Sequence, residues 1–150
     1  MSSQPEIETL KFKLGLSGTF WAKKPEFTVL LDGKEVNKSA IEGASDEVQY
    51  VEFESTLVEG EHELVIRLTN KTDLDTFVGA DGKIERDMLL NIDSIEIDEI
   101  DLGTLKWSKS LYIPDNTAHS PMKECVNLGS NGAYSLKFTS PFYLWLLENM

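Results

Sequence analysis

The sequence predicts an all-β protein, an antiparallel β-sandwich of jelly-roll type. Three observations lead there. Apolar and polar residues alternate along one stretch after another, the two-residue period of a strand half-buried in a sheet. Clusters of Gly, Asp, Asn and Pro stand between those stretches as turn signals. No segment carries a convincing helical period, apart from a turn or two near Ala40.

The stretch 88–102 organises the rest. Leu90 and Ile92 share one face, and Asn91 and Asp93 share the other. At Ser94 the phase slips, and Ile95 and Ile97 carry the apolar face onward. A second slip follows Asp98, before Ile100 and Leu102. Each slip needs an extra residue on one side of the ladder, which predicts a bulge near Ser94 and a tight bend near Glu99.

In chain order, Leu10, Phe12, Leu14 and Leu16 alternate with Lys11 and Lys13 as a first strand, broken by Gly15, Ser17 and Gly18. Residues 20–25 read as a loop. Phe27, Val29 and Leu31 begin a second strand, and Asp32 with Gly33 makes a two-residue hairpin turn that starts the return strand at Lys34. Residues 37–47, small and acidic, read as a surface loop. Residues 48–57 form a strand with Val51, Phe53 and Leu57 inward. Beyond the turn at Glu59 and Gly60, His62, Leu64, Ile66 and Leu68 line the apolar face of a further strand, with His62 expected to be packed and hydrogen-bonded. Residues 70–86 show no period and read as a long acidic loop. Residues 105–107, 111–113 and 126–128 read as short strands, and 114–123 as a contact loop. Gly129 to Gly132 make a turn, and Tyr134, Leu136 and Phe138 mark a last long strand. Pro141 interrupts it. The uniformly apolar run 142–147 is either the closing core strand or a segment that docks on a neighbouring subunit.

A chain of 150 residues suits one domain with a real core, here 1–150. The formal net charge of −12 repels nucleic-acid phosphate and anionic lipid headgroups, so neither is expected as a partner. Cys125 is the single cysteine, which rules out an intrachain disulfide. The first residues lack a basic start followed by an apolar run, so no signal peptide is expected. No apolar run approaches the roughly 20 residues that span a bilayer.

Two groups of residues carry candidate chemistry. Asp73, Asp75, Asp81, Glu85 and Asp87 fall in the acidic loop and supply hard oxygens of the kind calcium takes, or else a solvated acidic surface. Phe20, Trp21, Trp107 and Tyr112 offer aromatic faces that cover the C–H face of a sugar ring, with Trp21 expected to be exposed and Trp107 buried. His119 adds a polar contact in its loop. Nothing singles out a catalytic pair among so many acids, Cys125 lacks a nucleophile's surroundings, and no phosphate-binding glycine loop is present, so no enzyme is expected.

The residues Gly15 to Thr19, Phe27 to Val36, Gly60 to Asn70 and Asp87 to Ile97 follow one another in the order of a family pattern. That pattern reads G-x-S/A-G, V-x-V-D-G, G-x-H-x-V-x-V-R-F-x-N-D and D-R-N-L-x-V-D-x-I-x-V. Over 10–98 the chain resembles the calcium-dependent xylan-binding type of carbohydrate-binding module, with 99–150 as additional strands and a C-terminal apolar segment. The resemblance implies a short β-sandwich in which a loop-held calcium meets sugar hydroxyls. On it, Asp87 falls at the loop aspartate and Asp73 just beyond the N-D position. Met88 and Leu89 stand where the family has Arg and Asn, and the preceding loop is longer. A second resemblance, through the stretch 141–146, is to accessory virion proteins of tailed phages, including those that infect cyanobacteria.

Together these lead to two expectations. The first is a non-enzymatic virion structural or accessory protein, a surface decoration or tail component. It would be made in a host cytoplasm, associate with other virion subunits and be oligomeric or particle-bound. The alternative is a calcium-dependent module for cell-surface or plant-type polysaccharide. In both, Phe20, Trp21, Tyr112 and His119 make the glycan or partner contacts; in the calcium-dependent alternative, Asp73, Asp75, Asp81 and Asp87 are the metal ligands.

Overall fold

A computed structural model describes residues 6–150. The chain runs through β1 (Ile7–Thr19), β2 (Glu26–Leu31), β3 (Lys34–Ala40), β4 (Gln49–Val58) and β5 (Gly60–Leu68). A single helical turn at Asp73–Asp75 precedes a small hairpin, β6 (Phe77–Val78) and β7 (Ile84–Arg86). Then come β8 (Leu89–Ile97), β9 (Ile100–Asp101), α1 (Leu105–Ser108), β10 (Ser110–Pro114), β11 (Met122–Lys123), β12 (Asn127–Leu128), β13 (Gly132–Ser140) and α2 (Phe142–Asn149).

The strands form an antiparallel β-sandwich. One sheet has the order β12-β8-β1-β4, with β9 also on β8; the other has the order β11-β10-β13-β5-β2-β3. All pairings are antiparallel. The alternation seen in the sequence is the reason for the layers. Leu10, Phe12, Leu14 and Leu16 of β1 and Leu90, Ile92, Ile95 and Ile97 of β8 belong to one buried core with Phe27 and Val29 of β2, Leu64, Ile66 and Leu68 of β5, and Tyr134, Leu136 and Phe138 of β13. Burying side chains of this kind is worth about 1.5–3 kcal/mol each.

Both phase slips have a structural counterpart. Along β1 and β8, Gly15 faces Ser94 but Leu16 faces Ile92, so Asp93 is the extra residue of a bulge. Asp98 and Glu99 take left-handed φ values of 51° and 66°, and the chain folds back there into β9. Gly15 and Gly18 do not break β1 as expected, because β8 continues the ladder to Thr19. The surface loop begins later than expected, since Asn37 to Ala40 pair with β2, and no helical turn forms near Ala40.

The C-terminal third departs from expectation at two helices. Residues 105–107 form one turn of helix rather than a strand, which leaves Trp107 43% exposed instead of buried. The apolar run 142–147 is helical too. Leu, Trp and Glu suit a helix, and the turn starts where the Leu144 and Trp145 N–H groups donate to Pro141 O. Phe142, Trp145 and Leu146 are buried at the spacing of a helix face, while Tyr143, Leu144 and Leu147 are exposed. Apolar residues on both faces hide the period, and a short apolar run does not by itself distinguish strand from helix. Strand β13 lies between β10 and β5, so residues beyond 98 are built into the second sheet.

The hairpin β2–β3 is locked to β5 by a buried histidine. Asp32 and Gly33 both take positive φ, and the Asp32 carboxylate accepts the Glu63 N–H at 2.8 Å. His62 is 8% exposed, as a packed histidine should be. Its Nδ1 lies 2.6 Å from Asp32 Oδ2 and its Nε2 2.6 Å from Val58 O, and the imidazolium donates to both. Burial acts against the charged ring, but the Asp32 hydrogen bond, the Val58 carbonyl and the Asp32 and Glu8 charges outweigh it and raise the His62 pKa above 6.5. A raised folded pKa contributes stability that is present in full below pH 6.5 and is lost as pH rises through the folded value. Urea unfolding should therefore show stability falling as pH rises above 6.5, and Asp32→Asn, which keeps a residue tolerant of positive φ, should flatten that slope.

Candidate functional site

Three loops meet at one rim of the sandwich and enclose an open cleft of about 500 Å³. The segment after β5 contributes Lys71, Thr72, Asp73 and Thr76; the loop after β10 contributes Asp115, Asn116 and His119; the turn before β13 contributes Gly129, Ser130 and Asn131. Adjacent strands bring these loops together, since β13 lies between β10 and β5.

The walls are pinned by side chains that replace absent ladder bonds. Asn131 Oδ1 accepts the Lys71 N–H at 2.8 Å, and Asn131 Nδ2 donates to Lys71 O at 2.9 Å. One amide thus pairs with the backbone of Lys71 as a neighbouring strand would. The Asp115 N–H donates to Asn131 O at 2.9 Å, and Arg67 from β5 donates to Asp115 Oδ1 at 2.6 Å. Tyr112 Oη donates to Ser130 O. Loops tied in this way need little further ordering to receive a ligand.

Asp87 fixes the floor behind the cleft. Its Oδ1 accepts from Lys71 Nζ at 2.6 Å, Thr76 Oγ1 at 2.7 Å and the Met88 N–H at 2.8 Å. Lys71 Nζ also donates to Gly129 O. Burial acts against the Asp87 carboxylate, but the Lys71 and Thr76 hydrogen bonds, the Met88 N–H and the Lys71 charge hold its pKa below the usual range. Asp75 closes the helical turn in a related way. Its Oδ2 accepts from the Thr72 N–H at 2.7 Å, Thr72 Oγ1 at 3.1 Å and Lys23 Nζ at 3.1 Å. Burial again opposes the charge, but Thr72 and Lys23 keep the Asp75 carboxyl below its ordinary value.

Trp21 stands on the other side of that helical turn. Its Nε1–H donates to Asp75 O at 2.8 Å, Phe77 meets it edge-on with ring centres 6.5 Å apart, and the Arg86 guanidinium lies 5.5 Å from the ring. Trp21 is 42% and Phe77 47% exposed, so the hairpin β6–β7 and the loop after β1 present two aromatic side chains to solvent.

The residues expected from sequence divide as follows. Asp73 and His119 come together at the cleft. Trp21 is exposed as expected, while Phe20 is half-buried and packs against the core. Tyr112 is fully buried and offers no exposed aromatic face: in β10 the alternation turns Ser110, Tyr112 and Pro114 inward. The four aspartates do not converge. Asp75 and Asp87 are each committed to a lysine, and Asp81 sits in the β6–β7 turn, accepting the Lys83 N–H at 3.0 Å. Among the described residues no three His, Cys, Asp or Glu side chains are placed to share an ion. Lys71, Asp115, Asn116 and Asn131 enter the site unannounced. The only hint is that residues 114–123 read as a contact loop and 129–132 as a turn.

No family model matches the chain, and no curated sequence matches it either. Solved structures do. The selenomethionine form of vCBM60, from a study linking two families of calcium-dependent carbohydrate-binding modules, aligns with a TM-score of 0.56 at 14% identity, over 85% of this chain and 89% of its own. vCBM60 in complex with galactobiose aligns with a TM-score of 0.52 at 13% identity, over 84% of this chain and 96% of its own. This chain therefore shares the β-sandwich fold of a carbohydrate-binding module.

Proposed function

We propose that this protein is a non-catalytic glycan-binding module whose site is the rim cleft between the segment after β5, the loop after β10 and the turn before β13. The observation that carries the reading is a pre-organised polar cleft at the rim of a sandwich with a carbohydrate-binding module's fold. Its lining of Thr72, Asp73, Asn116, His119 and Ser130 supplies hydroxyl, amide, carboxylate and imidazole groups, the partners that sugar hydroxyls need. The volume is in the range that holds a small ligand. Trp21 and Phe77 add apolar faces beyond the helical turn for a longer chain. A net charge of −12 favours a neutral glycan over a uronic or sulfated one.

Titration calorimetry against neutral and anionic oligosaccharides tests this reading. A neutral ligand should bind, and Asp73→Ala or His119→Ala should each weaken it about 5–10-fold, the loss of one hydrogen bond, with the melting temperature unchanged. Failure of every neutral glycan to bind would end the reading.

A second reading, a virion structural or accessory subunit, is favoured by α2. Tyr143, Leu144, Leu147 and Met150 are 64%, 53%, 55% and 85% exposed, an apolar face beside the buried one. Such a face suits docking on a neighbouring subunit, and the resemblance to accessory virion proteins points the same way. Sedimentation should show concentration-dependent association of the native chain, abolished by Leu144→Glu with Leu147→Glu. A strict monomer would remove the self-assembling form of this reading.

A further inference from the structure

The fold neighbours raise the question of calcium, and two of the carboxylates that would answer it each have one oxygen fully committed, while Asp73 joins no group of three or more ligand side chains among the described residues. Calcium takes about 6–8 oxygen ligands, with carboxylates foremost. Asp87 Oδ1 accepts three donors, from Lys71, Thr76 and the Met88 N–H. Asp75 Oδ2 also accepts three, two from Thr72 and one from Lys23. An oxygen that receives three donors has no lone pair directed at a metal.

The Lys71 ammonium holds a cation's place more fully than an ordinary surface ion pair does. Its side chain is 10% exposed, and it bridges a carboxylate oxygen and a backbone carbonyl, the two oxygen types that ligate hard cations. Through Asp87 it reaches the start of β8, and through Gly129 it reaches the turn before β13. The backbone from which the stem springs is itself fixed, since Asn131 holds both the Lys71 N–H and the Lys71 C=O. A divalent ion entering here would strand a buried ammonium without its partner, a costly exchange.

We propose that Lys71 is the resident cation of this cleft: its ammonium ties its own segment after β5 to the turn before β13 and to the approach to β8 as a bound divalent ion would, so these walls are ordered without calcium. The proposal deepens the glycan-binding reading by making that recognition calcium-independent. Its test uses the metal alone, so it is decided whether or not a glycan binds.

The native chain should melt at the same temperature in EDTA and in millimolar calcium chloride, and titration calorimetry with calcium chloride should give no heat of binding. Lys71→Ala should melt lower in EDTA and recover on adding calcium, because removing the ammonium exposes Asp87 and Gly129 O to the ion. Lys71→Ala combined with Asp87→Asn should lose that recovery. If Lys71→Ala does not fold, Lys71→Gln, which keeps a donor without the charge, is read in the same way. A calcium-induced rise of about 5 °C or more in the native chain would overturn the proposal. So would a folded Lys71 variant that calcium leaves unmoved.

Discussion

The pairing of β1 with two partners at once is the constraint on which the rest of the structure depends. This 13-residue strand carries β4 along one edge and β8 along the other, and its inward residues are almost fully buried. With both edges taken, its register is fixed from two sides, and a one-residue slip would turn the whole apolar set outward. The bulge at Asp93 is the adjustment that lets β8 keep Ile92 and Ile95 facing inward on either side of the mismatch. The opposing sheet closes over this surface through Phe138, whose ring meets Phe12 of β1 at 6.1 Å and the helix residues Phe142 and Trp145 at 6.3 and 6.4 Å.

That rigidity reaches the cleft by short routes. Lys71 lies three residues beyond the end of β5, and Asp87 two residues before β8. Each is thus a strand-end residue whose position the core dictates. The ion pair between them ties one sheet to the other at the rim, while Asn131 joins the turn before β13 to the same point. A small recognition site works through positions of this kind, because side chains held before the ligand arrives lose little freedom when it binds.

Much of the fold was legible because strand period and turn chemistry are local properties. The alternation in 10–16 and 134–138, the Asp32–Gly33 turn and the slip at Ser94 each announced a feature that the structure contains. What stayed hidden depends on partners distant in sequence. Gly15 and Gly18 look like strand breakers until β8 supplies a ladder beside them. Tyr112 reads as a contact aromatic on a short strand until β13 pairs with β10 and turns its ring inward. The helix α2 is masked by apolar residues on its outer face. The cleft is the extreme case: Lys71 and Asn131 are 60 residues apart, and neither carries a sequence signal that names the other.

The docking of α2 has one more consequence. The Glu8 carboxylate near the start of β1 accepts both the Ser140 hydroxyl and the Phe142 N–H, at 2.8 Å for the latter, so the start of β1 and the start of α2 lie side by side. The helix is eight residues long, a span of about 12 Å. A linker of roughly eight residues would bridge it and join the end of α2 to the start of β1 without disturbing either sheet. New ends could then open in the loop after β10, giving a circular permutant with the same layers and the same core in a different chain order.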